Sequence, residues 1–349
     1  MQDVVRDTLG AVVSGKILDE TTAEAFLSAW MDGRVSPVQA AALVAVMAYR
    51  GERSSEIAGF ARAMRTHAVR LQAPEGTLDT CGTGGDGRDT FNISTAVAFV
   101  AAAAGIPVAK HGNRAASSRS GSADVLQALG AVIDLPVSAS EVLLREIGLC
   151  FLFAQVYHPA MKVAAQVRKE LGFRTIFNIL GPLTNPAGAK RQVLGVFHED
   201  LVPIVGDALV SLGSEHALVV HGAGGLDELS LAGPSLVAEV KEGTVCTYRL
   251  SPEDVGLKPA PIEAVRGGSP EENAAIVRRI LSGEERGPKR DIVLLNAGAA
   301  LYVGGKAASV REGVALAEAL LDDGRAADVL DAFIQGSRRL ASVEEAVSP

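Results

Sequence analysis

Residues 77–95, TLDTCGTGGDGRDTFNIST, contain the pattern that decides the fold. The run Thr77–Cys81 is typical of a short strand, and it leads directly into a turn with glycine at positions 82, 84, 85 and 87. An alanine-rich run, typical of a helix, begins near Asn92. A strand, a glycine turn and a helix in this order predict one unit of an α/β domain, with an anion against the backbone amides at the start of the helix.

The same alternation continues along the chain. Further short apolar runs are each followed by glycine, polar or helical sequence: Val108–Lys110, Cys150–Ala154, Val193–Phe197 and Ala217–His221. This alternation predicts a central sheet that is mostly parallel. Two later β-rich runs, Ser235–Lys241 and Val245–Leu250, are joined by Glu242-Gly243-Thr244 and predict a hairpin at or near the sheet edge.

The first 70 residues have a different sequence pattern, because helix signals follow one another without strand-like runs. Ser36-Pro37 supplies a cap and a first-turn proline before residues 38–49, and Ser54-Ser55-Glu56 begins another helix. Residues from about 270 to 345 return to helical patterns. We therefore predict a small all-helical domain over residues 1–70 and a larger α/β domain over residues 71–349.

Composition excludes several classes of protein. The net charge of -8 and the absence of a Lys/Arg-rich run in the sequence argue against a nucleic-acid binder. The three cysteines are too widely spaced for a disulfide framework or a Cys-x-x-Cys metal site, which favours a reducing cytoplasm. We expect no secretory segment, and no membrane span, because the longest apolar run, residues 96–109, falls short of the roughly 20 residues needed.

The glycine turn literally satisfies the dinucleotide fingerprint G-x-G-x-x-G, but its surroundings do not fit. That fingerprint requires an acidic residue about 20 positions later, where residues 101–105 read AAAAG. A P-loop requires Lys and Ser/Thr after the last glycine, where Arg88-Asp89 stands. Both nucleotide interpretations are therefore weak.

Acidic side chains indicate a different ligand. Asp86 and Asp89 would repel a phosphate unless they bound ribose hydroxyls or met the phosphate through a cation. Ser94 lies at the start of the following helix, where its oxygen can join a magnesium shell. The turn therefore indicates a sugar diphosphate with a metal ion, and the plainer alternative is a capped helix after a tight turn.

A second polar cluster, residues 110–118 (KHGNRAASS), follows the next predicted strand. Ligands of α/β sheets bind at strand ends. Lys110 is suited to offset phosphate charge, Asn113 to donate to a carboxylate or an amine, and Ser117 and Ser118 to bind oxygens. A solvated basic turn is the alternative.

A third cluster combines glycine with adjacent acids, in residues 221–229 (HGAGGLDEL). Adjacent acids are common on protein surfaces, and a solvated turn would explain them. In a protein that already requires a cation for its diphosphate, we interpret Asp227 and Glu228 as magnesium ligands, directly or through water.

Taken together, several motifs closely resemble those of the anthranilate phosphoribosyltransferase family, and the likeness runs nearly end to end. The motifs are DTCGTGGD (79–86), NIST (92–95), KHGNR (110–114), RKELGFRTIFN (168–178) and LGPLTNP (180–186). The resemblance implies transfer of phosphoribose from 5-phosphoribosyl 1-diphosphate to the amino group of anthranilate, in tryptophan biosynthesis. It also implies an inserted contribution to the helical domain from about residues 170–190, an active site in the hinge cleft, and a homodimer through the helical domain.

The resemblance also implies the site residues, of which one set binds phosphoribosyl diphosphate. These are Gly82, Gly85, Asp86, Thr90, Asn92, Ile93, Ser94, Thr95, Lys110, His111, Gly112, Asn113, Arg114, Ala115, Ala116, Ser117, Ser118 and Ser122. Gly82, Asn113 and Arg168 are implied for anthranilate, an arginine being suited to its carboxylate. Ser94, Asp227 and Glu228 are implied for Mg²⁺, although Ala223-Gly224-Gly225 is less acidic than the family pattern. No general acid or base is assigned.

Two alternatives stay open from the sequence. A pyrimidine nucleoside phosphorylase shares the architecture and a similar Lys-His-Gly-Asn-Arg loop, but its usual Lys-x-Ser-x-Gly-Gly loop is replaced here by residues 81–86. A noncatalytic relative that binds nucleic acid is opposed by the acidic balance. Small-molecule substrates, without nucleic acid or membrane, are therefore the expected partners beside a second copy of the chain.

Overall fold

The computed structural model describes residues 2–115 and 119–347. The predicted site residues Ala116, Ser117 and Ser118 lie outside the described residues.

Four helices open the chain: α1 (Gln2–Val13), α2 (Glu20–Met31), α3 (Pro37–Arg50) and α4 (Ser54–His67). The predicted start of α3 is confirmed, because the Ser36 hydroxyl accepts from Gln39 N at 3.3 Å while the Gln39 side chain accepts from Ser36 N at 3.0 Å. The buried side chain of Glu56 accepts from Leu18 N at 3.1 Å and ties α4 to the turn before α2.

The larger part of the chain is built on one seven-stranded sheet. Its strands are β1 (Leu78–Asp79), β2 (Val108–Gly112), β3 (Leu149–Phe153), β4 (Arg191–Gly195), β5 (His216–His221), β6 (Ser235–Lys241) and β7 (Thr244–Leu250). Their order is β3-β2-β1-β4-β5-β6-β7, in which the first five run parallel and the last two form the predicted antiparallel hairpin at the edge. The predicted α/β fold class with a mostly parallel sheet is confirmed.

Strand β1 is shorter than the predicted run of residues 77–81. The reason lies in Thr80, whose carbonyl oxygen accepts from Lys110 Nζ at 2.6 Å. The backbone therefore leaves the sheet after Asp79 and enters the glycine turn.

Helices pack on both faces of the sheet. Between β1 and β5 they are α5 (Ile93–Ala103), α6 (Ser122–Ala128), α7 (Val137–Ile147), α8 (Ala154–Tyr157), α9 (Lys162–Leu171), α10 (Phe177–Leu180) and α11 (Leu201–Ser211). After the hairpin come α12 (Pro270–Leu281), α13 (Pro288–Val303), α14 (Val310–Asp322) and α15 (Arg325–Val347). Short 3-10 turns cover Pro159–Met161, Gly181–Thr184, Pro252–Val255 and Ile262–Val265.

The segment around α9 and α10 packs on the first four helices. The ring of Phe177 lies edge-on against Trp30, with centroids 5.4 Å apart, and 6.3 Å from the ring of Phe60. Val167 is buried in the same hydrophobic cluster. This packing supports our proposal of a helical domain that ends near residue 70 and includes an inserted segment near 170–190.

The apolar side chains of α3 are mostly internal. Leu43, Val44 and Met47 are fully buried within the single chain, so core packing explains them. Val38 and Tyr49 of the same helix are 79% and 95% exposed. In the described part of the chain, no helix is long and apolar enough to span a membrane.

Candidate active site in the interdomain cleft

A cavity of about 650 Å³ lies where the carboxyl ends of the central strands face the α9–α10 segment. The chain runs outward from β1 to β3 and then returns to β4 on the other side of β1. The loop after β1 therefore leaves the sheet at its topological switch point, where α/β proteins bind ligands. The glycine turn predicted as an anion site lines this cavity.

The glycine turn is held against the end of β4. Thr83 N donates to Gly195 O at 2.8 Å, and Phe197 N donates to the Thr83 hydroxyl at 3.1 Å. Gly84 and Gly85 have φ of +67° and +75°, a backbone conformation that other residues adopt only with strain. These bonds and conformations direct the turn toward the cleft.

Three carboxylates converge beneath this turn. Asp227 Oδ2 accepts from Gly84 N at 2.7 Å, and Asp227 N points at Asp86 Oδ2 at 3.5 Å. Burial, followed by the charge of Asp86, raises the pKa of Asp227 to about 7. Burial and the charge of Asp227 raise the pKa of Glu228 to about 8. Such a cluster of oxygen ligands holds more negative charge than its surroundings compensate, and a hard divalent cation would relieve it.

The loop that presents these acids is fixed from behind by Asn296 of α13. Asn296 Oδ1 accepts from Leu229 N at 2.9 Å, and Asn296 Nδ2 donates to Leu229 O at 3.0 Å. Asp227 and Glu228 therefore stand on a rigid support, and the alternative of a freely solvated turn does not describe them.

Lys110 is buried in the middle of β2 rather than free in the cleft. Its Nζ donates to Thr80 O at 2.6 Å and to the Ser94 hydroxyl at 3.3 Å. Its charge also favours the ionised form of Glu228. Lys110 therefore orients the Ser94 oxygen at the start of α5 while its side chain still reaches the wall of the cavity.

Most of the other predicted donor-site residues also line the cavity, and they are Gly82, Gly85, Asp86, Thr90, Asn92, Ile93, His111, Gly112, Asn113, Arg114, Ala115 and Ser122. Thr95 is buried and is not among the lining residues. Asn92 secures the opposite rim, where its Nδ2 donates to Ser120 O at 3.1 Å. Arg114 is paired with Asp124 at 2.9 Å.

On the other side of the cleft, Arg168 projects from α9 over the ring of Phe177, 5.6 Å from its centroid. Burial lowers the pKa of Arg168 from its usual value. Arg174 follows α9, donates to the carbonyl oxygen of Gly85 and lies 4.3 Å from the ring centroid of Phe197. Arg174 thus crosses the cleft, a role that we did not predict from the sequence.

Two histidines complete this wall. His111 and His158 are buried, with ring centroids 5.1 Å apart. Nδ1 of His111 lies 3.1 Å from Gly181 O, and because a carbonyl only accepts, this nitrogen carries the proton in the neutral ring. Burial lowers the pKa of His111 to about 3 and that of His158 to about 4. Each Nε2 is buried without a hydrogen-bond partner among the described residues, and both residues line the cavity.

Comparisons with known proteins agree with this geometry. Residues 6–68 match the model of the glycosyl transferase family, helical bundle domain, and residues 75–327 match that of the glycosyl transferase family, a/b domain. An anthranilate phosphoribosyltransferase of Rubrobacter xylanophilus is 54% identical, over 97% of this chain and 99% of that protein. One of Thermomicrobium roseum is 53% identical, over 98% and 99%.

Solved structures give the same result. The anthranilate phosphoribosyltransferase of Thermus thermophilus superposes with a TM-score of 0.91 at 51% identity, covering 95% of this chain and 99% of that one. The enzyme of Saccharomyces cerevisiae, solved in complex with PRPP and Mg, gives 0.87 at 27% identity, covering 97% and 99%. The chain therefore belongs to the anthranilate phosphoribosyltransferase family.

Proposed function

We propose that the chain transfers phosphoribose from 5-phosphoribosyl 1-diphosphate to the amino group of anthranilate, releasing N-(5-phosphoribosyl)anthranilate and diphosphate, in tryptophan biosynthesis. The observation that supports this most strongly is the convergence of Asp86, Asp227 and Glu228 beneath a glycine turn that presents backbone amides. Amides alone would suit many anions. Amides combined with three acids suit a diphosphate that arrives with a cation.

The donor set fits Mg²⁺, which prefers oxygen ligands and few protein contacts. Asp227, Glu228 and the Ser94 hydroxyl would hold it. When bound, the ion would neutralise charge on the departing diphosphate. The Saccharomyces cerevisiae relative solved with PRPP and Mg is consistent with this choice.

The donor would lie along the glycine turn and the start of α5. The amides of residues 82–87 and the helix N-terminus would bind diphosphate oxygens. Residues 110–118 and Ser122 would complete the donor site as implied by the family motifs, including Ala116, Ser117 and Ser118 outside the described residues. Lys110, which is held by Thr80 and Ser94, would contribute positive charge to the donor site.

The acceptor would occupy the wall formed by α9 and the end of β2. Arg168 would bind the anthranilate carboxylate, with Asn113 and Gly82 at the junction with the donor. His111 and His158 line the same wall, and burial keeps their rings neutral, so they add no positive charge that would compete with Arg168 for the carboxylate.

In the reaction, the amine nitrogen forms a bond to the anomeric carbon while the bond from that carbon to the diphosphate oxygen breaks. The nitrogen then releases one proton. Because an aromatic amine is already a neutral nucleophile, we assign no general base. The contribution of the protein is positioning, together with preorganised charge around the leaving group.

The test is the loss of anthranilate fluorescence on addition of phosphoribosyl diphosphate and Mg²⁺. We expect turnover that stops when the metal is chelated. Phosphorolysis of thymidine or uridine without anthranilate turnover would instead assign the phosphorylase activity. Tight nucleic-acid binding at physiological salt without turnover would assign the noncatalytic alternative.

We also propose a homodimer formed through the helical domain in the cytoplasm. The exposed Val38 and Tyr49 of α3 support an interface at that helix. Tyr49→Asp should convert a dimer into a monomer in light scattering coupled to size-exclusion chromatography. A wild-type chain that elutes as a monomer at micromolar concentration would refute the proposal.

A further inference from the structure

Asp79 is a fully buried carboxylate that the proposed chemistry does not use. It ends β1, the strand at the centre of the parallel part of the sheet, three residues before the glycine turn begins at Gly82. Its Oδ1 accepts from His111 N at 3.1 Å, and its Oδ2 accepts from Asn185 Nδ2 at 2.7 Å. Each of its oxygens therefore holds a different segment of the cleft.

Asn185, also buried, extends this connection. Its Nδ2 donates a second bond to Ala109 O at 2.8 Å, and its Oδ1 accepts from Ala187 N at 2.8 Å. Its side-chain hydrogen bonds thereby fix the chain that follows Gly181–Thr184 to the ends of β1 and β2. The segment that it anchors, Gly181–Thr184, forms part of the wall on which the acceptor would lie, through Gly181, Pro182 and Thr184.

The His111 side chain completes this network of hydrogen bonds. His111 is held through its backbone by Asp79 and through Nδ1 by Gly181 O at 3.1 Å. Gly181 belongs to the same segment that Asn185 anchors. The result is a ring of hydrogen bonds through β1, β2 and residues 181–185, with His111 in the wall of the cavity.

We propose that Asp79 and Asn185 are a positioning pair, which fixes the His111 ring and residues 181–185 as one rigid acceptor wall. This inference rests on the proposed function, because it assigns the pair to anthranilate binding. Neither residue touches substrate. Each acts through the orientation of His111 and the segment after α10.

The donor side, apart from the backbone of His111, has separate supports. The glycine turn is fixed by the bonds from Thr83 N to Gly195 O and from Gly84 N to Asp227 Oδ2. Neither bond passes through Asp79 or Asn185. Loss of the pair should therefore weaken anthranilate binding while phosphoribosyl diphosphate binding persists, a split that a purely structural role would not produce.

The experiment measures both KM values for Asp79→Asn and for the exchange variant Asp79→Asn with Asn185→Asp. In Asp79→Asn the new NH₂ group would face either His111 N or Asn185 Nδ2, and because both of these are donors, one of the two hydrogen bonds to residue 79 is lost. We expect the KM for anthranilate to rise about tenfold and the KM for the donor to stay within about twofold. The exchange restores one carboxylate–amide pair but loses the bond from residue 185 to Ala109 O, and we expect it to recover part of the loss.

Ser337→Ala is the matched control, because Ser337 is fully buried and its hydroxyl accepts from Val132 N at 3.1 Å, away from the cleft-lining residues. It should lower the Tm without changing either KM. Equal increases in both KM values for Asp79→Asn, or a fall in Tm alone, would overturn the positioning role.

Should Asp79→Asn fail to fold, Asn185→Ser supplies the same test, because it keeps the carboxylate and releases residues 181–185. An unchanged anthranilate KM in a folded Asn185→Ser enzyme would also overturn the inference. Absence of anthranilate turnover in the wild type refutes the proposed function instead. The two failures are thus distinct.

Discussion

Replacement of Glu228 by glutamine should stabilise the metal-free protein while it removes activity. The raised pKa of Glu228, about 8, means that the folded protein binds a proton there more tightly than the unfolded chain does. Stability therefore falls as the pH rises through the interval from about 4.5 to 8, where the unfolded chain is ionised and the folded carboxyl is not. A glutamine resembles the protonated side chain at every pH.

The magnitude follows from the shift and from solvent screening. At about 1.4 kcal/mol for each pH unit, the full shift from 4.5 to about 8 corresponds to on the order of 5 kcal/mol at pH 8.5. Glu228 is only partly buried and faces a cleft that water can enter, so we expect on the order of 2 kcal/mol. That should raise the Tm of Glu228→Gln by about 3 °C over the wild type at pH 8.5, and by much less at pH 5.5.

The assay is thermal unfolding at both pH values, with EDTA and with Mg²⁺. The wild type should gain Tm from Mg²⁺ at pH 8.5, because binding stabilises the folded state, and Glu228→Gln should lose most of that gain. Glu253→Gln, at an exposed site, is the matched control and should leave both Tm values unchanged. A Glu228→Gln protein that is less stable than the wild type in EDTA at pH 8.5 would refute the electrostatic reasoning.

Three further substitutions test separate parts of the structure. Arg168→Ala should raise the anthranilate KM at least about tenfold in steady-state kinetics, with the donor KM unaffected, since it removes a charge-assisted bond; an unchanged KM would contradict this. Gly82→Ala would place a Cβ 2.6 Å from Asp227 Oδ2, so kcat/KM for the donor should fall about tenfold or more while the Tm holds, and full activity would be incompatible with the observed packing. Glu56→Ala should lower the free energy of unfolding by about 3 kcal/mol in urea titrations without altering either KM, because the fully buried Glu56 accepts two bonds from Arg50; a loss under about 1 kcal/mol would mean that the pair is dispensable.

Local signals made the elements predictable. Ser36 and Pro37 specify the start of α3 through contacts within four residues, and the turn at Glu242-Gly243 lies between two alternating strands, where both residues adopt positive φ. The order of the strands was not predicted. The return of β4 to the side of β1 depends on contacts over more than a hundred residues, which no local pattern encodes.

The residue types of the candidate site were predictable from the sequence, but their contacts were not. The glycines could be recognised because they are typical of an anion-binding turn, and the acids because they are unusual in one. The burial of Lys110, the protonated nitrogen of His111 and the crossing of the cleft by Arg174 were not predictable, because each depends on a partner brought near by the fold: Thr80, Gly181 and Gly85, respectively.

The glycine pattern itself has two physical origins. Gly84 and Gly85 need positive φ, as in any tight anion-binding turn. Gly82 does not need positive φ, but it needs space, because a Cβ at this position would lie 2.6 Å from Asp227 Oδ2. Gly195 is required for the same reason, since a Cβ there would lie 1.5 Å from the backbone oxygen of Asp227. The resemblance to a dinucleotide fingerprint therefore arises in part from the approach of a carboxylate. In a dinucleotide site the pyrophosphate occupies the space beside the first glycine. Here the loop that carries Asp227 occupies it, so the ligand must be one that can bind to these acids through a cation.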